Sequence, residues 1–317
     1  MAEFEKRIAE LTPEMRRIVA EKARMQLRAG GARKNESTTV ATATKEEFLA
    51  LDAASPSEPD ESKASYKRFY DGVSEQLSSN LFGRFSFFLN YGYKPDGQPE
   101  YSQIVLPEQY INKNSVKLVL EVIGDCPVDG KRVLDVGCGR GGTVHVLQTF
   151  FKPAGIQALD LSTRAIDFCR SAHKRADTTF YEGDAESLPL ADGSVDIVTN
   201  LESSHSYPNI NKFYSEVYRV LSPGGQFLYT DTLAIQHMAT CIGFLQFIGF
   251  ELERDRDITR NVLLSCNEIA ATRVQAFDSR NDPGLMQNFL AMPGSQVYQE
   301  MQSGRWTYRI LKLRKRA

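Results

Sequence analysis

The run Val133-Leu134-Asp135-Val136-Gly137-Cys138-Gly139-Arg140-Gly141-Gly142 constrains this chain more than any other stretch. A short apolar, β-branched segment stops at a cluster of glycines, and a helix-forming stretch follows. Glycine allows the sharp turn and lets backbone approach a ligand closely. The same alternation continues downstream. GIQALDL, TTFYEGD, VDIVTNLE and GGQFLYTD read as strands, with helices expected at Gly142–Phe151, from a Ser162 cap through Arg175, and at Asn211–Leu221. Strands alternating with helices imply parallel strands joined by crossover helices. Beyond them, residues 234–249 read as helix, ELERDRDIT as a strand, residues 260–303 as mostly helical, and RWTYRILKLRKR as a terminal strand.

The flanks differ in character. Phe4, Ile8, Leu11, Met15, Ile18 and Met25 recur at helical spacing, and Thr12-Pro13-Glu14 reads as a cap and first turn, so a helix is expected from Thr12 to about Leu27. Its stripe can bind a partner, or pack on its own domain or a symmetry mate in a dimer; LTPEMRRIVAEKAR also resembles linker helices of modular synthases, which implies docking to a synthase. Residues 30–44 and Ser55–Ser65 are small and polar and read as linkers. Residues 1–63 are therefore read as a helical and flexible extension. Residues 64–317 are read as one domain: an N-terminal helical lid over 64–125, a ligand-binding core over 126–256, a helical lid insertion over 257–303, and the terminal strand over 304–317.

Composition narrows the partners. With 42% apolar and 25% charged residues, the 317-residue chain can bury a core without disulfides or metal. A net charge of −2 argues against a nucleic-acid partner, which would demand a basic excess. Cys126, Cys138, Cys169, Cys241 and Cys266 lack C-x-x-C spacing and are odd in number, which predicts buried, reduced thiols. No stretch has the roughly 18 to 20 apolar residues of a membrane span. The expected location is cytoplasmic.

Asp135 discriminates among ligands. A dinucleotide pyrophosphate binds backbone N–H groups at a helix start, and a carboxylate inside that turn is a poor neighbour for it. S-adenosylmethionine carries an ammonium and a sulfonium, which an acid attracts. Asp160, about 20 residues after the glycines, can accept from a ribose diol of either ligand. Asp184 can accept from an adenine amino group while the Ala185 N–H meets a ring nitrogen.

VLDVGCGRGG, ALDLS, GDAESLPLADGSVDIV and RVLSPGGQFLYTD, in this order and spacing, resemble the motif series of class I, seven-stranded S-adenosylmethionine-dependent methyltransferases. The resemblance covers about residues 115–256. It implies an α/β fold: a mostly parallel, doubly wound, Rossmann-like sheet with a reversed final strand, an N-terminal helical extension and a helical lid. It also implies that Gly137 and Gly139 line the methionine end of the cofactor, Asp160 and Leu161 the ribose, and Asp184 with Ala185 the adenine. Asn200 would offer its carbonyl to the cofactor ammonium. S-adenosyl-L-homocysteine would be the by-product.

The segment NLESSHSYPN lacks the Asn/Asp-Pro-Pro-Tyr pattern of amine and amide methylation, and it offers His205 and Glu202. Taking the proton from a hydroxyl as the methyl arrives makes it a good nucleophile, and histidine titrates nearest neutrality. Glu202 can orient His205, bind substrate or contact the cofactor amine. No third ligand accompanies them, so no metal site is expected. The segment also resembles tailoring methyltransferases of polyketides, peptides and complex lipids, including the phthiotriol dimycocerosate type. That implies hydroxyl methylation of an apolar polyketide or peptide-polyketide natural product, free or tethered to a carrier protein, with His205 as base and Glu202 in support. Other readings are C-, N- or S-methylation, a non-methylating scaffold or cyclase, and, more distantly, a nicotinamide oxidoreductase. The resemblance further places Tyr91 or Tyr93 against the cofactor. Phe85, Phe87 and Phe88 would form a substrate wall, and Phe277, Met286, Phe289, Leu290 and Met292 the rest of the lid.

Overall fold

The computed structural model describes residues 59–79, 86–101, 103–107, 110, 112–276 and 287–316, apart from the side chains of 59–60 and 271–276. The expected Thr12–Leu27 helix and its docking role lie outside these residues, as do Phe85, Phe277 and Met286.

Seven strands form one sheet: β1 (Arg132–Val136), β2 (Gly155–Asp160), β3 (Thr178–Glu182), β4 (Val195–Leu201), β5 (Leu221–Ala234), β6 (Phe250–Asp257) and β7 (Trp306–Lys315). The spatial order is β3-β2-β1-β4-β5-β7-β6. Strands β1 to β5 pair in parallel, and β7 runs antiparallel to both β5 and β6. The reversed strand implied by the motif series is therefore β7. Central strands carry apolar runs because both sheet faces are covered. Val133, Leu134 and Val136 of β1 are all essentially inaccessible.

Among the described residues, the sheet is accompanied by helices α1 (Pro59–Ser79), α2 (Lys113–Ile123), α3 (Gly142–Phe150), α4 (Thr163–Ala172), α5 (Ile210–Val220), α6 (Ile235–Phe247), α7 (Thr259–Ala276) and α8 (Gln296–Gln302). Ser162, the cap expected from sequence, accepts from the Ala165 N–H to start α4; Asn209, which sequence did not mark, accepts from the Lys212 N–H to start α5. One core layer joins residues of α2, α3, α7 and α8 to one sheet face; the other joins α5 and α6 to the opposite face.

The strand order reverses between β1 and β4, where the connections leave to opposite sides and open a crevice at the strands' C-terminal ends. Helix α1 is tied down beside that crevice by polar contacts. The buried Arg140 guanidinium donates to Ser74 O and Oγ, to Ser78 Oγ and to Ser86 O, and stacks 3.5 Å over Phe168. Asp71 accepts from Ser162 Oγ and the Arg164 N–H at the start of α4.

Candidate active site

A cavity opens at the crevice. Gly137, Gly139, Asp160, Leu161, Asp184, Ala185, Glu202, His205 and Tyr91 all line it. Asp135 and Asn200 do not. They lie behind the wall, under the glycine turn, and Tyr93 packs in the core instead.

The turn's own hydrogen bonds decide its ligand class. The N–H groups of Gly137 and Cys138 both donate to Leu159 O, and that of Gly141 donates to Cys138 O. The Gly139 N–H donates to the Asp160 carboxylate at 2.7 Å, which also accepts from the Ser162 N–H at 2.8 Å. These amides are spent, and a carboxylate occupies the place where a pyrophosphate would need donors. Behind the turn, Asp135 Oδ2 and Asn200 Oδ1 are buried acceptors without a hydrogen-bond partner. The Asp160 carboxylate at the turn, with the Asp135 carboxyl buried beneath it, favours a cationic ligand through charge. These residues fit S-adenosylmethionine and not a nicotinamide dinucleotide.

Farther along the cleft, Asp184 accepts from the Glu186 N–H at 2.8 Å and from Lys63 Nζ at 2.7 Å; Lys63 also pairs with Glu186 at 2.6 Å. Sequence reading did not single out Lys63, because it reaches the site from α1 across 121 positions.

Burial pushes the Asp135 carboxyl up to about 7, with the Thr199 and Thr143 hydroxyls acting against it and Asp160 adding to it. A carboxyl raised on folding contributes stability that is complete below its unfolded value, about 3.9, and lost as pH rises through about 7. Thermal stability should therefore decline across that window, and Asp135→Asn should flatten the decline. A cationic ligand favours the ionised form. Calorimetry in buffers of different ionisation enthalpy should show S-adenosylmethionine releasing about half a proton more from the native protein than from Asp135→Asn at pH 7. Equal release from both would remove the charge coupling.

The acceptor end is built on the loop after β4. Glu202 adopts left-handed backbone geometry, φ 51°, and a short 3-10 turn over Ser204–Ser206 follows. His205 sits in that turn, and its Nδ1 lies 2.8 Å from Asp231 Oδ1. Asp231 lies in the C-terminal part of β5 and its side chain has no exposed surface, whereas the His205 side chain keeps 21% exposure. Burial raises the Asp231 carboxyl, but the His205 ring with the Ser204 hydroxyl and the Thr232 N–H outweigh it, holding it below its ordinary value. Asp231 is thus a buried anion.

The expected support of His205 by Glu202 is corrected here, since the carboxylate on the ring is Asp231. Glu202 instead accepts from the Tyr91 N–H, at 2.8 and 3.1 Å, and from Tyr308 OH. It fixes the wall segment before α2 to the end of β4. Asn200 likewise pins the turn: its Nδ2 donates to Val136 O at 2.9 Å and to Ser203 Oγ at 2.7 Å. Phe87, Phe88 and Leu89 line the cavity with Phe289, the one expected lid residue found there among those described, while Leu290 is buried against Val73 and Leu77 of α1. Tyr66 and Tyr70 of α1, unforeseen from sequence, complete the wall.

The five cysteines are buried thiols outside any disulfide. Among the described residues no group of three His, Cys, Asp or Glu side chains could hold a metal, and no helix is long and apolar enough to cross a membrane.

Comparison with known proteins agrees with this geometry. A family model described as "Methyltransferase domain" matches residues 134–229. The fatty-acid O-methyltransferase of Mycolicibacterium smegmatis is 35% identical over 225 residues, covering 70% of this chain and 81% of that protein. Phthiotriol/phenolphthiotriol dimycocerosates methyltransferase 1 of Mycobacterium ulcerans is 31% identical over 245 residues, covering 77% and 89%. Among solved structures, the (4+2)-cyclase SpnF superposes with a TM-score of 0.62 at 21% identity, over 81% of this chain and 96% of that one. A geranyl diphosphate methyltransferase solved with sinefungin gives 0.57 at 18% identity, over 80% and 99%. Strand order, a turn closed to phosphate and close relatives converge: the chain belongs to the class I S-adenosylmethionine-dependent methyltransferases.

Proposed function

We propose that the protein moves the methyl group of S-adenosylmethionine to a hydroxyl of a long, largely apolar acceptor, a lipid- or polyketide-like natural product that is free or tethered to a carrier protein. One observation carries this reading: His205 lines the cavity with Nδ1 committed to a buried carboxylate. That bond holds the ring in the tautomer protonated at Nδ1 and leaves Nε2 as the basic nitrogen.

The cofactor supplies an electrophilic methyl on a sulfonium. The chain's residues prepare the nucleophile. His205 Nε2 takes the hydroxyl proton as the methyl arrives, and the fixed charge of Asp231 stabilises the imidazolium. A carboxylic acid is already ionised near neutrality and gains nothing from a base, so the pair favours a hydroxyl acceptor. Phe87, Phe88, Leu89 and Phe289 offer an apolar wall for the acceptor's chain and exclude water from the nucleophile. Glu202 acts as a positioning residue, tying that wall to β4 through Tyr91.

The relatives support the acceptor class. The M. smegmatis protein is named for a fatty acid, and the M. ulcerans protein for dimycocerosates of a triol.

A direct test supplies S-adenosylmethionine with a long-chain secondary alcohol, or with an unhydroxylated fatty acid of equal length, and reads products by mass spectrometry. The methyl ether and stoichiometric S-adenosylhomocysteine are expected. Methyl ester alone would overturn the hydroxyl reading. Cofactor binding with no S-adenosylhomocysteine released from any acceptor would overturn methyl transfer in favour of a scaffold or cyclase.

A further inference from the structure

The carboxylate behind His205 is itself held by a chain of hydroxyls that the transfer chemistry leaves unassigned. Asp231 Oδ1 accepts from the Thr232 N–H at 2.8 Å and faces His205 Nδ1. Oδ2 accepts from the His205 N–H at 3.0 Å and from Ser204 Oγ at 2.6 Å. Ser204 Oγ also lies 2.9 Å from Tyr229 OH, and Tyr214 OH lies 3.2 Å from Tyr229 OH. Ser204, Tyr214, Tyr229 and Asp231 are all inaccessible to solvent or nearly so.

The charge on Asp231 sets the direction of each bond. An ionised carboxylate only accepts, so Ser204 donates to it. A hydroxyl has one proton, so Ser204 can then only accept from Tyr229, and Tyr229 from Tyr214. The two backbone N–H groups on Asp231 cannot turn away. Ser204 is therefore the one side-chain donor, besides the His205 ring, that these bonds bring to the carboxylate.

We propose that Ser204, backed by Tyr229, is a positioning residue that sets the basicity of His205 by partly neutralising Asp231. The inference rests on the base role proposed for His205. With the hydroxyl in place, part of the carboxylate's charge is drawn toward Oδ2, away from the imidazole. Without it, the uncompensated anion holds the protonated ring more tightly, and a larger share of His205 is unable to accept a proton near neutrality. Hydrogen bonds in such a buried chain also polarise one another, so removing the Tyr229 hydroxyl weakens the Ser204 bond in turn.

Other ionisable groups near Asp231 come from each element packed on it: Tyr70 of α1, Tyr91 before α2, Tyr207 before α5, His237 and Cys241 of α6, and Tyr308 of β7, which donates to Glu202 after β4. Burial raises the four tyrosines and the Cys241 thiol and lowers His237. All of these groups are the same in every variant compared.

The test titrates the His205 Cε1–H by NMR and records the pH profile of kcat in Ser204→Ala, Ser204→Thr and Tyr229→Phe. Ser204→Ala is expected to move the NMR midpoint and the acid limb upward together, by about half a unit to one unit. Its turnover then falls several-fold at pH 7 and recovers toward the native value at higher pH. Ser204→Thr, which keeps the hydroxyl, restores the native midpoint. Tyr229→Phe shifts the midpoint in the same direction by less, and gives the same readout should Ser204→Ala not fold. An unmoved or lowered midpoint, or an activity loss equal at every pH, would overturn the inference. Its failure is separable from that of the base reading: full turnover in His205→Ala sinks the base role and leaves the NMR comparison standing.

Discussion

Asparagine in place of Asp231 is expected to lower kcat by roughly 10²- to 10⁴-fold, the range spanned by loss of a general base and by misorientation of one. Cofactor affinity should be unchanged, because Asp231 does not line the cavity. The reasoning is geometric. Two backbone N–H groups point at this side chain, one at each oxygen. An amide can satisfy only one of them with its oxygen. Its NH2 must face the other, and in one of the two orientations it also faces His205 Nδ1, forcing the wrong tautomer. In both orientations the charge that stabilises the imidazolium is gone. His205→Ala should fall by a similar factor, and the double variant should fall no further than the worse single one, since the two residues act as a unit. Turnover measured as S-adenosylhomocysteine release, with calorimetry for the cofactor, checks all three. Near-native turnover in Asp231→Asn, or losses that multiply in the double variant, would separate the pair.

The second large effect is expected at the glycine turn. Gly137 has φ 69°, and a Cβ there would stand 2.5 Å from Tyr207 OH and 2.6 Å from Ser203 Cβ. Neither neighbour can retreat freely, because Tyr207 OH donates to Ser203 Oγ and both bond the buried Asn200 amide. Left-handed strain of about 1 kcal/mol and overpacking of about 1–3 kcal/mol add in Gly137→Ala. Cofactor affinity should drop tenfold or more, since about 1.4 kcal/mol suffices for that factor, and the melting temperature should fall. Gly139→Ala is the matched control. Its φ of 52° is also left-handed, but a Cβ there meets only Leu89 Cδ1, at 3.6 Å. It should show the backbone strain without the clash. Equal behaviour of the two variants would show that the close approach of the Ser203–Tyr207 loop is not what requires glycine at 137.

How far sequence carries differs from element to element. Strands β1 to β5 are readable because parallel strands buried on both faces are continuous apolar runs between turn residues, and because glycines and acids mark their ends. The cofactor side follows from the same local features: Asp160 and Asp184 end or follow the strands that carry them. The acceptor side does not. Glu202 and His205 stand three positions apart, a spacing that suggests partners. The left-handed backbone at Glu202 breaks that local logic, and its carboxylate meets Tyr91 and Tyr308 instead. Asp231 ends GGQFLYTD, on the strand next to β4, and an acid at the C-terminal end of a strand bordering the crevice was a usable signal. Lys63, Arg140 and Tyr308 carried no such signal, because each acts through contacts that only the assembled fold creates.

The placement of β7 has a consequence for how the protein is made. β6 borders only β7, and β7 begins at Trp306, well after β6 ends at Asp257. During synthesis β6 has no neighbour to pair with until the intervening helices and then β7 have emerged, and its edge stays exposed in the meantime. β7 also brings Tyr308 to Glu202, so the anchor for the wall beside the cofactor arrives with the same strand. Sheet closure and completion of the catalytic pocket are one late, long-range event, and a nascent chain interrupted before Trp306 would have neither.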